Sequence, residues 1–296
     1  MKTVSDYLRK IYGCKVYRIA LSAEVTCPNR DGTCGTRGCI FCSAGGSGEF
    51  SADRTKPVPD QIREAKARVA AKVKGGKYIA YFQSFTNTYA PVSYLRKIFR
   101  EAIEPDDVVI LSVATRPDCL SADVLDLLSE INQIKPVWIE LGLQTIHERT
   151  ASYIRRGYPL SVYDDAVRRL TSAGITVITH VILGLPGETE EDMAATVRHV
   201  AASGAKGIKL QLLQVLKKTD LAEDYYEGRV PVMSMNAYMD LLRQLLPLIP
   251  DDVIVHRLTG DGPKSLLIAP LWCGDKKRVL SELNKVLKEI NPGHNS

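Results

Sequence analysis

The chain has 296 residues, a formal net charge of +5, and 45% hydrophobic and 25% charged residues, the profile of an ordinary globular protein. The N-terminus, MKTVSDYLRK, has no apolar signal core, and the most apolar run, Ile175 to Leu185, is broken by His180 and is about half the length of a bilayer span. The odd count of seven cysteines argues against a secreted disulfide framework, so the expected location is the reducing cytoplasm, with no membrane partner.

The first β-branched apolar run is Val16–Ala20. A cysteine loop follows at once: Cys27-x11-Cys39-x2-Cys42, with Phe41 before the last thiol, and then Gly45-Gly46-Ser47-Gly48. Pro57 to Lys74 reads as a helix that opens near Pro59-Asp60 and stops at Gly75-Gly76. It overlaps the densest basic stretch, Arg63 to Lys77, carrying Lys66, Arg68, Lys72 and Lys74. A solvated helix face is the expected reading of that stretch, with an RNA backbone as the alternative. Strands are expected at Tyr78–Phe82, Val108–Val113, Val137–Leu143, Thr176–Leu183 and Ile208–Leu213. Between them lie a helix capped by Ser121, a helix over Leu160 to Ala173 closed by Gly174, and a helix opened by the capping box Thr189-x-x-Asp192 and closed at Gly204.

Six successive βα units joined by right-handed crossovers curl rather than lie flat. The expected fold is therefore α/β: a partial (β/α)6 TIM-like barrel over residues 1–230. A small C-terminal α/β extension over 231–296 is expected to cover one end, with helices Asn236–Ile249 and Lys276–Ile290 flanking a strand at Val253–Leu258. The cysteine loop follows the first strand, so it lies at the C-terminal edge of the sheet, where barrel active sites are built.

Three thiolates on one loop can hold three irons of a [4Fe–4S] cube and leave the fourth iron open, whereas electron-transfer clusters normally take four cysteines. Cys34 complicates this reading, because the full pattern is C-x6-C-x4-C-x2-C. Four cysteines could instead close a zinc site or a fully ligated cluster. A non-catalytic zinc-binding RNA module using Cys27, Cys34, Cys39 and Cys42 is the rival reading.

The cysteine loop, its place after the first strand and the six-unit count together resemble the radical S-adenosylmethionine (SAM) superfamily, over roughly Lys15 to Leu216. The segments Thr26-Cys-Pro-Asn-Arg-Asp-Gly-Thr33, Tyr81-Phe-Gln-Ser-Phe-Thr-Asn-Thr-Tyr-Ala-Pro91, Thr115-Arg-Pro-Asp118, Glu140-Leu-Gly-Leu-Gln144, Gly184-Leu-Pro-Gly-Glu-Thr189 and His256-Arg-Leu-Thr-Gly-Asp261 resemble its uncharacterised YhcC-like (YtqA-like) branch. That branch is related to the radical SAM domain of the elongator catalytic subunit and, more distantly, to oxygen-independent coproporphyrinogen oxidase. The resemblance implies a [4Fe–4S] cluster on Cys27, Cys39 and Cys42, with Cys34 a bystander. It also implies SAM chelated at the open iron, an external electron donor of flavodoxin or ferredoxin type, and a 5′-deoxyadenosyl radical that abstracts hydrogen from an unidentified substrate. The elongator likeness makes RNA, especially tRNA, a candidate substrate.

Carried over residue by residue, the resemblance puts Gln144 near the SAM ribose and Arg156, twelve residues on, on the SAM carboxylate. Gln83 and Ser84 stand where relatives place a glycine-rich slot for the SAM amine, and His180 stands where others place a ribose-binding acid. Asn87, Thr88, Tyr89, Gln211 and Gln214 are expected to line or rim the barrel mouth. Tyr89 and Cys119 are candidate radical relays, and His256, Arg257 and Asp261 are candidates to close over a substrate.

Overall fold

The computed structural model describes residues 2–73, 75–260 and 262–291. The elements run in chain order as β1 (Lys2–Thr3), α1 (Val4–Tyr12), β2 (Val16–Leu21), α2 (Val58–Val69), β3 (Lys77–Phe82), α3 (Val92–Ile103), β4 (Val108–Thr115), α4 (Ala122–Asn132), β5 (Val137–Gln144), α5 (Glu148–Tyr153), α6 (Leu160–Ser172), β6 (Thr176–Leu183), α7 (Glu190–Ala202), β7 (Gly207–Leu212), β8 (Val215–Leu216), α8 (Asp220–Tyr226), α9 (Met235–Leu245), β9 (Ile254–Arg257), β10 (Leu267–Ala269) and α10 (Lys276–Ile290). Eight strands form one parallel sheet in the order β1-β9-β7-β6-β5-β4-β3-β2. The sheet curls into a half-barrel of the expected α/β type. Its edge strands β1 and β2 do not pair with each other.

The six expected strands are β2 to β7, and the expected caps form. Ser121 Oγ accepts from Val124 N at 3.4 Å. Thr189 Oγ1 accepts from Asp192 N at 3.2 Å while the Asp192 carboxylate accepts from Thr189 N at 2.8 Å. The expected strand at Val253–Leu258 is β9, and it joins the main sheet beside β7 rather than standing apart. The two-residue β1 adds to it in turn. In the basic stretch on α2, Arg63 pairs with Asp60 and Lys66 with Asp107. Lys74, Asp261 and the side chain of Lys72 lie outside the described residues.

Apolar residues of the strands' outer faces pack against α2, α3, α4, α6, α7 and α9 as one continuous core. The inner faces form layers, because every second residue of a strand points the same way. The lowest layer is apolar. Ile79, Ile110, Trp138 and Ile178 meet Leu8 of α1, which plugs the N-terminal end of the half-barrel. Two residues further along the same strands the inner face turns polar, with Tyr81, Ser112, Glu140 and His180. The open end of the half-barrel therefore has a dry floor with a polar layer above it.

Candidate active site

One cavity runs from this polar layer to the cysteine loop above the strand ends. Cys27, Cys39, Cys42, Gln83, Gln144, Arg156, His180, Gln211 and Gln214 all line it. The loop is held from both sides. Its own backbone closes tight turns, with Arg30 N donating to Cys27 O at 2.8 Å and Cys42 N to Cys39 O at 3.0 Å. Ile40, between two of the thiols, is buried with Ile154, Leu185, Leu213 and Val215 on top of the sheet. The Asn29 amide donates to Arg155 O at 2.7 Å and to Cys39 Sγ at 3.4 Å. Arg30 donates to the carbonyls of Cys42 and Ser43 at 3.0 and 2.6 Å. Gly46 has φ +61°, and an added Cβ there would lie 2.5 Å from the Phe85 ring. A side chain at that position would push the loop off the strand ends.

The three thiols line the same cavity and act on one another electrostatically. Burial, then the neighbouring Cys42 and Cys27 thiols, push Cys39 up to about 12, against the Asn29 hydrogen bond and the Arg116 charge. Cys42 is likewise raised by burial and opposed by Arg30. Cys34 is exposed and lines a different, outer groove with Asn29 and Arg155. The structure therefore does not gather four thiols into one site. Among the described residues, no three His, Cys, Asp or Glu side chains sit close enough to hold a single metal ion. Three thiols on one cavity wall without a fourth fit a multi-iron cluster gripped at three corners.

The SAM candidates are placed unevenly. Gln144 ends β5 with φ +65° and lines the cavity. Gln83 lines it while donating to Ser47 O at 2.7 Å. Ser84 is buried 3.0 Å from Ser22 Oγ and is not among the lining residues. Arg156 lines the cavity but is 1% exposed, and it donates to Tyr158 O at 2.9 Å, Thr145 O at 2.6 Å and Glu148 at 3.0 Å. Asn87 and Thr88 brace the loop after β3 instead of facing the cavity: the Asn87 amide donates to Ala114 O at 2.9 Å, and the Thr88 hydroxyl donates to Cys119 O at 2.5 Å. The Tyr89 hydroxyl lies 2.9 Å from Thr33 Oγ1, and neither Tyr89 nor Cys119 lines the cavity. His256 stacks edge-on against Trp138 at 5.1 Å, whereas Arg257 lines the cavity.

The polar layer is a charged network of which the sequence singled out only His180. Glu140, 1% exposed, accepts from Arg18 at 2.5 Å and Ser112 at 2.8 Å, while His180 Nε2 donates to it at 2.7 Å and Lys209 pairs with it directly. Burial alone would raise the Glu140 carboxyl, but Arg18 and Lys209 hold it well below the usual carboxylate range. Burial draws His180 down to about 4, assisted by Lys209 and opposed by Glu140, so the imidazole is neutral at physiological pH. Burial also draws Lys209 down to about 7 against the pull of Glu140. Burial, then Glu140, raises the Tyr81 phenol. One signal was available in the sequence. A parallel strand covered on both faces reads as a near-continuous apolar run, so Glu140 within Val137-Trp-Ile-Glu-Leu and Lys209 within Gly207-Ile-Lys-Leu are anomalies.

The family model described as the radical SAM superfamily matches residues 32–200, and that of the radical SAM C-terminal domain matches 205–289. The chain belongs to the radical SAM superfamily. It is thus a radical SAM enzyme, and membership implies SAM and a [4Fe–4S] cluster. The uncharacterized protein YtqA of Bacillus subtilis is 46% identical over 286 residues, covering 97% of this chain and 89% of that one. Protein YhcC of Escherichia coli is 35% identical over 283 residues, covering 95% and 90%. Among solved structures, the elongator protein Elp3 of the archaeon Methanocaldococcus infernus superposes with a TM-score of 0.70 at 16% identity, over 91% of this chain and 63% of that one. Coproporphyrinogen III oxidase (HemN) of Escherichia coli gives 0.51 at 17% identity, over 78% and 51%. These two likenesses are of fold. No helix among the described residues is long and apolar enough to cross a membrane.

Proposed function

We propose that Cys27, Cys39 and Cys42 hold a [4Fe–4S] cluster and that SAM binds between it and the strand ends, with Gln83, Gln144, Arg156 and His180 along its path. The observation that carries this reading is the separation of the cysteines: three thiols share the cavity wall and Cys34 lies in the outer groove. When bound and reduced, such a cluster supplies the electron that splits the sulfonium of SAM and yields a 5′-deoxyadenosyl radical, which takes hydrogen from a substrate. The chain's own part is to position and to keep dry. Asn29 and Arg30 fix the loop, Arg156 ties the turn after β5 to α5, and the apolar layer around Trp138 closes the bottom of the cavity. An external donor of flavodoxin or ferredoxin type would deliver the electron. All seven cysteines are free, which suits a reducing cytoplasm.

The elongator likeness keeps tRNA as a second substrate reading, although two of the basic side chains on α2, Arg63 and Lys66, are already ion-paired. Anaerobically purified protein should contain about four irons per chain and form 5′-deoxyadenosine from SAM once reduced. Cys34→Ala should keep its iron and Cys39→Ala should lose it. Equal loss from both, or colourless protein with one zinc, would overturn the reading.

A further inference from the structure

Among the described residues, the cavity wall carries more cationic side chains than carboxylates, the latter being Glu49 and Glu140. Five cationic side chains line the cavity wall: Arg30, Arg116, Arg156, Lys209 and Arg257. Four are engaged. Arg30 is bonded to loop carbonyls, Arg116 to Asp118 at 2.9 and 2.7 Å, Arg156 to Glu148, and Lys209 to Glu140. Arg257, half-buried, has no carboxylate partner among the described residues.

The backbone puts Arg257 there by a specific device. Ile208 pairs with Val255, but Lys209 pairs with Arg257, so His256 is an extra residue in β9. A bulge of this kind re-aims the side chain that follows it. Here it sets one cation directly across the ladder from another, an arrangement that is unfavourable unless something negative sits between them. Glu140 is already shared among Arg18, His180 and Lys209. Gln211, two residues above Lys209 on β7, offers a neutral amide on the same wall. This group also lies below the rim. Lys209 is three residues short of the end of β7, about 10 Å down at the usual strand rise, whereas the cysteines stand above the strand ends.

We propose that Arg257 and Lys209, with Gln211 beside them, bind a carboxylate or phosphate group of the substrate. This would anchor the molecule at the bottom of the half-barrel so that its other end points up toward the cluster. The inference rests on the radical SAM reading of the cavity and names the substrate class: a small molecule carrying an anionic oxygen group. A planar guanidinium and a point-charge ammonium together suit either anion.

The test is calorimetric titration of unreduced, cluster-loaded protein saturated with SAM, using orthophosphate and acetate as probes. At least one probe should bind, and Arg257→Gln should weaken it about tenfold or more, the loss expected for a charge-assisted hydrogen-bond pair. Arg63→Gln, on α2, should bind as wild type does. Preference for orthophosphate assigns a phosphate ester, and preference for acetate a carboxylic acid. The inference fails if neither probe binds, or if Arg257→Gln binds as tightly as wild type. It also fails if Arg257→Gln weakens SAM binding by the same factor as the probe, because the cation would then serve the cofactor. Formation of 5′-deoxyadenosine by the wild-type protein is a separate measurement. Anion binding without SAM cleavage would sink the cluster reading and spare the site, and the reverse would sink only the site.

Discussion

The cysteine loop and the polar layer beneath it meet the same cavity by different physical routes. The loop is irregular backbone, fixed by short-range turns such as Cys34 N to Pro28 O at 2.7 Å and Gly38 N to Asn29 O at 2.7 Å, and by the burial of Ile40. The polar layer stands on strands whose register is set by the sheet, and Coulombic pairing fixes its side chains. The difference shows which errors each can tolerate. Loss of a thiol from the loop should remove a proposed cluster ligand and leave the barrel standing. Loss of a charge from the layer ought to threaten the barrel itself, because the partners are left desolvated and unpaired.

The largest effect expected from this contrast is at Glu140. Glu140→Leu strands Arg18 and Lys209 in the lumen without their carboxylate, at a cost of about 3–5 kcal/mol in unfolding free energy. Cys34→Ala, on the exposed outer groove, should stay within about 0.5 kcal/mol of wild type. Urea unfolding of both variants measures the gap. Similar midpoints for the two would show that the layer is wetter than its burial implies, and would remove the distinction between the two regions.

A smaller effect separates the regions by pH. His180 is neutral in the fold because its value is drawn from 6.5 to about 4, mainly by burial, with Lys209 adding to it and Arg257 acting in the same direction against Glu140. Between those two values the unfolded chain binds a proton that the native chain does not. Stability therefore rises with pH across that window, by up to about 3 kcal/mol. His180→Gln keeps a hydrogen-bond donor for Glu140 but cannot titrate, so its unfolding midpoint should change less than that of wild type between pH 4 and 6.5. Parallel pH profiles for the two proteins would show that His180 charges freely in the native state.

The contrast also explains what could be read from the residues alone. The strands β2 to β7 were legible because β-branched runs alternate with helical segments, and the grouping of Cys27, Cys39 and Cys42 because all three lie on one short loop after the first strand. The joining of β9 to the sheet was not, since a short run such as Ile254-Val-His-Arg257 carries no record of its neighbour. The bulge at His256 belongs to the pairing with β7 and is invisible without it. Ser84 follows β3 and so fell within the slot expected for the SAM amine, and Asn87 and Thr88 within the expected rim. Side-chain direction there is set by loop turns, and Phe85 sits at φ +60°, beyond what a strand period can forecast. Asn29 lay inside a recognised segment, but its role emerges only when Arg155, far away in the chain, folds against it.

Asn29 offers the finest cut between the two regions, because it serves both the loop's structure and the sulfur. Its amide donates to Arg155 O at 2.7 Å and to Cys39 Sγ at 3.4 Å. Asn29→Ala leaves the Arg155 carbonyl short of a donor and should cost about 1–2 kcal/mol. A purely structural asparagine would do no more than that. A donor to a ligand sulfur also stabilises the more negative, reduced form of a cluster, so its removal should move the reduction potential downward. Redox titration of anaerobic, cluster-loaded wild type and variant decides between the two roles. A lowered potential at full iron content assigns Asn29 to tuning the cluster. An unchanged potential with lowered stability confines it to holding the loop on the turn after α5.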